Sequence, residues 1–323
     1  MSSMSGAEAP MAADVVPTQL ESPPVRVVGR ELPARIVAAR VPLRRRVREL
    51  WESRELFAFL VRKDLKVKYR GSVLGLLWSL LNPAVMLIVY DIVFTKFLKN
   101  GVHAFALYLF AALIVWNLFQ LALMGSASSI VANAAIVKKV SFPREILAFA
   151  QVGTATVFFF FQVIVLVIFL AGFRVSPDWS MLPLLVFAFV DLVVFTSALS
   201  VFLSAVNVYM RDIEHLVTVL LLAWQWGIPM VYSFNFVNSG DHRWIARLML
   251  VDPLAPIVIV FQRVIYGLRG TVGANGVVTP FGTNYPYAFY AELLGGVLVA
   301  SVVLLVVAML VFGRIEGNFA EEL

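Results

Sequence analysis

Two carboxylates, Asp91 and Asp191, sit inside long apolar runs, and their position is the first to need a reason. An ionisable group at membrane depth is costly and marks either a proton path or a paired structural group. The first reading makes the two a proton-coupling device. The second pairs each with a Tyr, Asn or Lys. Lys96 can snorkel back toward Asp91, and no basic residue lies at matching depth in another run. Much other chemistry is excluded by omission. The chain has no cysteine, hence no thiolate nucleophile, disulfide or cysteine metal site. Its three histidines, His103, His215 and His242, form no His-Glu-x-x-His pattern, and no loop gathers acids and histidines for general-base or metal work. No catalytic residue and no metal site is expected. There is no Gly-x-x-x-x-Gly-Lys-Ser/Thr loop, and none of the seven lysines follows a glycine, so nothing here cradles nucleotide phosphates. If ATP is used, ATP and Mg are bound by a partner, and this chain holds no cofactor.

Three further sets of side chains suit recognition rather than reaction. Between two apolar runs lies Asn133 to Glu145, NAAIVKKVSFPRE. A short basic-apolar helix stopped by Pro143 would project there as a peg. Lys138, Lys139 and Arg144 would face acidic groups, while Ile136, Val140 and Phe142 would seat in a groove of a soluble partner. The alternative is a loop whose lysines only hold topology. In Asn207 to His215, NVYMRDIEH, the residues Arg211, Asp212 and Glu214 fall within one turn. They form an ion-paired turn or a second contact for the same partner. The third set is aromatic: Trp78, Tyr90, Trp116, Phe119, Trp224, Trp226 and Tyr232. Sugars stack their C–H faces on rings, so a wide glycan path favours Trp and Tyr; the same residues also collect at lipid interfaces for structural reasons.

Composition names the scaffold that must position these groups. Of 323 residues, 61% are hydrophobic and 14% charged, with a mean hydropathy of +0.88; a soluble domain is about 45–50% apolar and about 25% charged. Lipid has to cover part of this surface, and the expected class is an all-α integral membrane protein. Six runs, 73–98, 104–124, 146–171, 179–206, 215–234 and 288–312, each supply the roughly 20 residues of a span. Asn82-Pro83 in the first run, and Gly227 and Pro229 in the fifth, are breaks that neighbouring helices can satisfy. Residues 44–70 carry Val47, Leu50, Trp51, Phe57, Ala58, Val61 and Leu65 at helical spacing against a basic face. They predict an amphipathic helix in the headgroup layer, or a helix for a soluble partner. Residues 1–43 read as a disordered cytoplasmic tail without a signal-peptide core. The apolar stretch Pro253 to Leu268 is interrupted by Pro256, Gln262 and Arg263, so about 241–267 predicts a re-entrant or interfacial segment, followed by a Gly/Asn/Pro-rich loop. The six-span domain would cover 71–313, with 314–323 as the cytoplasmic carboxyl terminus.

Charge orients the whole. The net charge is +6, and residues 1–72 hold 14 Lys/Arg against 8 Asp/Glu, so the entire excess precedes the first span. With the amino terminus inside, inner segments hold 19 basic residues and outer ones 7, which places both termini in the cytoplasm. Pro and acidic residues interrupt the basic run, and nucleic-acid binding is not expected. Arg62, Lys63, Lys66, Lys68 and Arg70 either hold this topology or guide an anionic lipid headgroup. No internal repeat supports an inverted-repeat transporter.

Five segments in order carry a family resemblance: ELFAFLVRKDLKVKYRGSVLGLLWSLLNPAVMLIVY (55–90), IVKKVSFPREIL (136–147), VNVYMRDIEHL (206–216), GIPMVYS (227–233) and DPLAPIVIVFQRVIYG (252–267). From about residue 45 onward the chain resembles the permease subunit of ABC-2-type polysaccharide exporters, which move O-antigen, teichoic acid and related lipid-linked glycans across a bacterial inner membrane. The resemblance implies a homodimer of six-span subunits with two copies of a nucleotide-binding ATPase subunit, and a polyprenyl-diphosphate-linked polysaccharide as substrate. It implies that residues 44–65 are the interfacial helix, that 136–144 dock into the ATPase, and that 241–267 form short re-entrant helices at the outer mouth. It also implies a glycan channel lined by aromatic residues of spans 1, 2 and 5. Asp91 departs from the usual apolar or aromatic run of span 1 and is not placed in the channel. The long tail and the Gly/Asn-rich loop suggest an actinobacterial member, a galactan exporter. Rival readings are an ABC-2 exporter of drugs or small lipids, a membrane transferase (whose acid or His cluster is missing), and a proton-coupled glycan flippase using Asp91 and Asp191.

Overall fold

The computed structural model describes residues 42–68, 70–97, 104–238, 243–272, 278–280 and 283–323. Residues 1–41 of the expected tail lie outside them, while Pro42 caps a helix that Leu43 starts. The helices are α1 Leu43–Glu52, α2 Arg54–Lys68, α3 Trp78–Ile92, α4 Phe105–Ala132, α5 Ala134–Lys139, α6 Glu145–Gly172, α7 Leu182–Tyr209, α8 Ile213–Gly227, α9 Phe234–Asn238, α10 Arg243–Val251, α11 Leu254–Tyr266, α12 Tyr287–Ile315 and α13 Phe319–Glu322. The loop expected after α11 contains two short strands, β1 Gly270–Val272 and β2 Val278–Pro280, paired antiparallel with Thr271 opposite Thr279. The β-branched residues on both sides of its Gly/Asn centre favour that pairing.

The bundle is built around α4. Its apolar side chains point in every direction, and such a helix has to be covered on all sides. It packs against α6, α7, α11, α8 and α3. Ala106, Ala111, Ala112 and Ala122 are fully buried in it and keep those neighbours close. α7 packs along α12 on the other side. The amphipathic segment is two helices rather than one, broken at Ser53, whose hydroxyl donates to the carbonyl of Glu49 at 2.8 Å. α2 lies on α6, and Gly153 is what lets it approach: a Cβ there would meet Phe57 Cζ at 2.6 Å. Trp51 of α1 stays 72% exposed.

Among the described residues, four helices are long and apolar enough to cross a membrane: Phe105–Ala132, Glu145–Gly172, Trp179–Tyr209 and Tyr287–Asn318. A fifth span results if Trp244–Val251 and Leu254–Tyr266, bent by 97°, count as one. These four match the second, third, fourth and sixth expected runs. The second extends past residue 124 to Ala132 because its small polar residues are satisfied within the bundle. Ser126 Oγ donates to the carbonyl of Ala148 at 3.2 Å, and Ser129 Oγ to that of Ser126 at 2.8 Å. Hydropathy ends there, but the helix does not.

The first and fifth runs are shorter as α-helices than expected. α3 has 15 residues with Pro83 inside, and is flanked by a 3₁₀ turn, Gly75–Leu77, and a π turn, Val93–Phe97. α8 stops at Gly227 because Ile228 is extended (φ −97°, ψ 139°), as the residue before a proline tends to be. Its 15 residues reach about 22 Å, against a hydrocarbon thickness of about 30 Å. The chain then turns, and Gln262 Nε2 donates to the carbonyl of Pro229 at 3.1 Å. Every residue of α11 is buried. The carboxyl-terminal segment packs back on the bundle: Phe319 is fully buried, with its ring 5.4 Å from Phe312 and 6.0 Å from Tyr209.

Candidate functional site

Three helices each turn one face toward a common open groove of about 530 Å³. On α3 the face is Trp78, Asn82, Met86 and Tyr90, spaced four residues apart and so stacked on one side. On α4 it is Phe110, Leu113, Asn117, Gln120 and Met124, and on α6 it is Phe158 and Gln162. Phe110 to Met124 covers about 21 Å of helix. Asn117 Nδ2 donates to Gln162 Oε1 at 2.8 Å, tying α4 to α6. The carboxamides of Asn82 and Gln120 face the groove with no hydrogen-bond partner among the described residues. Lys68, at the end of α2, closes one end, with its ammonium 4.1 Å from the centre of the Phe158 ring. The side chain remains exposed overall, and partial desolvation there lowers its pKa below the usual lysine value.

The seven aromatic residues therefore do not form one surface. Trp78 and Tyr90 line the groove. Trp116 and Phe119 are buried in the subunit interior, where Phe119 stacks on Phe195 at 5.8 Å and meets the edge of Trp224 at 5.2 Å. Trp224 Nε1 donates to Asp252 at 2.7 Å, fixing α8 to the bend between α10 and α11. Trp226 is 68% exposed, and its carbonyl accepts from the half-buried Tyr232 at 3.1 Å.

The peg divides as well. Ile136, Lys138, Lys139 and Val140 are exposed on and just after α5. Phe142, Pro143 and Arg144 are half-buried, and Glu145 is buried. Glu145 accepts from the guanidinium of Arg46 on α1, which also bonds Glu316 beyond α12. Arg144 donates to the carbonyl of Glu316 at 2.6 Å and lies 5.8 Å from the Phe319 ring. Tyr209, at the end of α7, donates to the carbonyl of Ile315 at 2.7 Å. The peg is thus bonded at its base to α1 and to the end of α12. Gly313 makes room for this, since a Cβ there would meet Arg46 Cζ at 2.6 Å. Arg211 and Asp212 are exposed at the turn between α7 and α8.

Of the basic set, Arg62, Lys66, Lys68 and Arg70 are exposed. Lys63 donates to Asn133 Oδ1 at 3.1 Å and so holds α2 to the end of α4. Asp91 is half-buried near the end of α3. Asp191 is fully buried in α7, and neither oxygen has a protein partner among the described residues. At the far end of the bundle Arg263 donates to Asp178 at 2.9 Å, and Arg269 to the carbonyl of Ser176 at 3.1 Å. Hydrogen bonds from Ser180 and then Arg263 hold the Asp178 carboxyl below its usual pKa.

Sequence reasoning missed the groove amides and the Arg46–Glu145–Glu316 cluster. A usable signal for the groove was the four-residue spacing of Trp78, Asn82, Met86 and Tyr90, with Asn117 and Gln120 three apart. The cluster has no local signal, because its members are 99 and 270 residues apart.

The helices that build the groove, the peg and α11 all lie inside one stretch, residues 55–266, that matches the ABC-2 type transporter family. The O-antigen export system permease protein RfbA of Myxococcus xanthus is 31% identical over 225 residues, covering 70% of this chain and 85% of that protein. A protein of the same name from Klebsiella pneumoniae is 27% identical over 269 residues, covering 83% of this chain and 95% of its own length. With the match running from α2 to the end of α11, the chain belongs to the ABC-2 type transporter family of multi-pass membrane proteins.

Proposed function

We propose that this chain is the membrane subunit of an ATP-driven exporter that moves a polyprenyl-diphosphate-linked polysaccharide from the cytoplasmic side. The observation that carries the reading is a groove lined by amides and aromatic rings along an otherwise apolar bundle, in a chain without a phosphate loop. The relatives named as O-antigen export permeases support it. The working unit is a homodimer with two ATPase subunits and with both termini cytoplasmic. α3 with its flanking turns and α8 serve as the first and fifth of six spans, and α10–α11 as the outer re-entrant pair. The exposed residues Ile136, Lys138, Lys139 and Val140 meet the ATPase, with Arg211 and Asp212 as a second contact. When the ATPase closes on ATP, force on the peg passes to α6 through Glu145, and through Arg46 to α1 and α12. Arg62, Lys66 and Arg70 attract the diphosphate headgroup.

The deciding experiment is depletion of this chain followed by mass analysis of lipid-linked intermediates. A long glycan accumulating on the inner leaflet is expected, and its sugars name the cargo. No accumulation, or active protein that purifies without any Walker-type ATPase, would sink the reading. An exporter of drugs or small lipids is the second reading; unpaired amides along the groove favour a polyhydroxylated cargo over an apolar one.

A further inference from the structure

A second crevice lies on another side of α6 from the groove. Its volume is about 430 Å³, its wall is wholly apolar, and it is set between α6 and α7 with α11 beneath. Phe159, Val163, Leu166 and Leu170 line it from α6, whereas the groove takes Phe158 and Gln162. Steps of three and four residues make those four one face. Phe261, Val264 and Ile265 of α11, all buried, form the floor. Val167 and Val186, 57% and 61% exposed, leave its flank open. From Phe159 to Leu170 the crevice runs about 17 Å along the helix, close to one leaflet's share, about 15 Å, of the hydrocarbon core. Its mouth is at the α6–α7 connection, where Pro177 and the exposed Trp179 line it; tryptophan favours the membrane–water boundary. Three arginines stand around that mouth against one acid. Arg263 pairs with Asp178 at 2.9 Å and, though buried, has an Nε without a partner among the described residues. Arg269 donates to the carbonyls of Tyr266 and Ser176 and keeps further N–H groups. Arg174, between Leu170 and Pro177, is exposed. No acid besides Asp178 occurs in residues 146–190 or 253–291.

We propose that this crevice binds an anionic phospholipid of the membrane, with one acyl chain lying between α6 and α7 against α11 and the phosphate meeting Arg174 and Arg269. A wholly apolar crevice of one leaflet's depth suits a hydrocarbon chain and offers a sugar nothing to bond. A phosphodiester matches the planar guanidinium fork. The excess of positive charge at the mouth selects a lipid of net negative charge over a zwitterionic one. A second copy of this chain is the poorer occupant, because a two-fold contact here would bring two sets of arginines together. The site asks nothing of the cargo and rests only on the chain being a membrane protein. A lipid chain seated there packs directly on α11 and braces the bend between α10 and α11 from the lipid side.

Native mass spectrometry of the full chain, extracted from its membrane in mild detergent, tests this with phosphatidylglycerol and phosphatidylcholine as probes. Retention of phosphatidylglycerol about fivefold above phosphatidylcholine is expected. Arg174→Gln, at an exposed position, should cut that retention about fivefold, and Arg174→Lys should restore part of it. Val167→Trp with Val186→Trp should block the open flank and release the lipid. The same pair of changes at Val299 and Val303 of α12, which are 66% and 58% exposed, should not. Equal retention in the crevice and α12 variants would mean a general lipid coat and overturn the proposal. Equal retention of the two lipids, or no effect of Arg174→Gln, would overturn it as well. A polyprenyl mass held in place of phospholipid would overturn it in favour of the cargo's tail, and a disulfide between two Val186→Cys chains in favour of a second copy. Should the double tryptophan variant fail to fold, Arg174→Gln decides alone. None of these readouts requires transport, so a failure here leaves the export reading untouched, and failure of that reading leaves the lipid site standing.

Discussion

Arg46 joins three distant parts of the chain through one guanidinium. It reaches Glu145 at the start of α6 and Glu316 past α12, and both it and Glu145 are buried. Taking one partner from a buried ion pair leaves the other charge uncompensated, at about 3–5 kcal/mol. Arg46→Met should therefore lower the thermal unfolding temperature in detergent markedly. Arg46→Met combined with Glu145→Leu should recover part of the loss, because the buried charges then leave together. Asp178 makes a gentler prediction. Its folded pKa lies below the ordinary value near 3.8, so its contribution to stability is complete above that value and is lost as pH falls through the lower folded value. Asp178→Asn should lower stability near neutrality and flatten the acid limb, the two profiles converging at the lowest pH. Asp191 is buried, and neither of its oxygens has a protein partner among the described residues. Asp191→Asn should leave folding, export and the ATP requirement unchanged; loss of export with normal folding would revive the proton-coupled reading.

Among the elements, the contact of α2 with α6 is the most exposed to a single change. Gly153→Val would drive a side chain into Phe57 and Val61, whose atoms already lie within 3 Å of where a Cβ would stand. Overpacking of this kind costs about 1–3 kcal/mol. Limited proteolysis should then cut α2 faster, and Phe57→Ala added to Gly153→Val should restore its protection. The same contact shows what one chain can and cannot disclose. The apolar stripe of α2 and the four long spans follow from periodicity and hydropathy, because each helix satisfies its own backbone. The groove depends on how α3, α4 and α6 are rotated about their axes. Only side-chain packing sets that rotation, so Gln162 reads as an isolated polar residue until Asn117 lies 2.8 Å away. The early end of α8 was half legible: Pro229 was visible in the sequence, but the turn depends on Gln262 from another helix.

At the scale of the molecule, the helices differ greatly in length. α4, α6 and α7 have 28 residues each and α12 has 29, while α8 has 15. α8 is also thinly covered: Val217 and Leu221 are buried, while Val219 is 65% exposed. The chain's lack of cysteine makes any introduced thiol unique. If the proposed homodimer pairs through α8, Val219→Cys should form a disulfide between two copies in the native membrane, and Val303→Cys on the exposed face of α12 should not. Crosslinking at 303 alone would place the second copy elsewhere.

The shortness of α8 has an elastic consequence. With α8 as the fifth span of the proposed arrangement, a bilayer about 30 Å thick pinches by about 8 Å to meet a 22 Å helix. Each ångström of such hydrophobic mismatch costs a fraction of a kcal/mol. In the proposed homodimer, two subunits that set α8 against α8 would share one dimple in place of two, so membrane deformation itself would act as adhesive. Longer acyl chains should then tighten the pair and shorter ones loosen it. In vesicles of graded lipid length, the yield of the Val219→Cys disulfide would report that force directly.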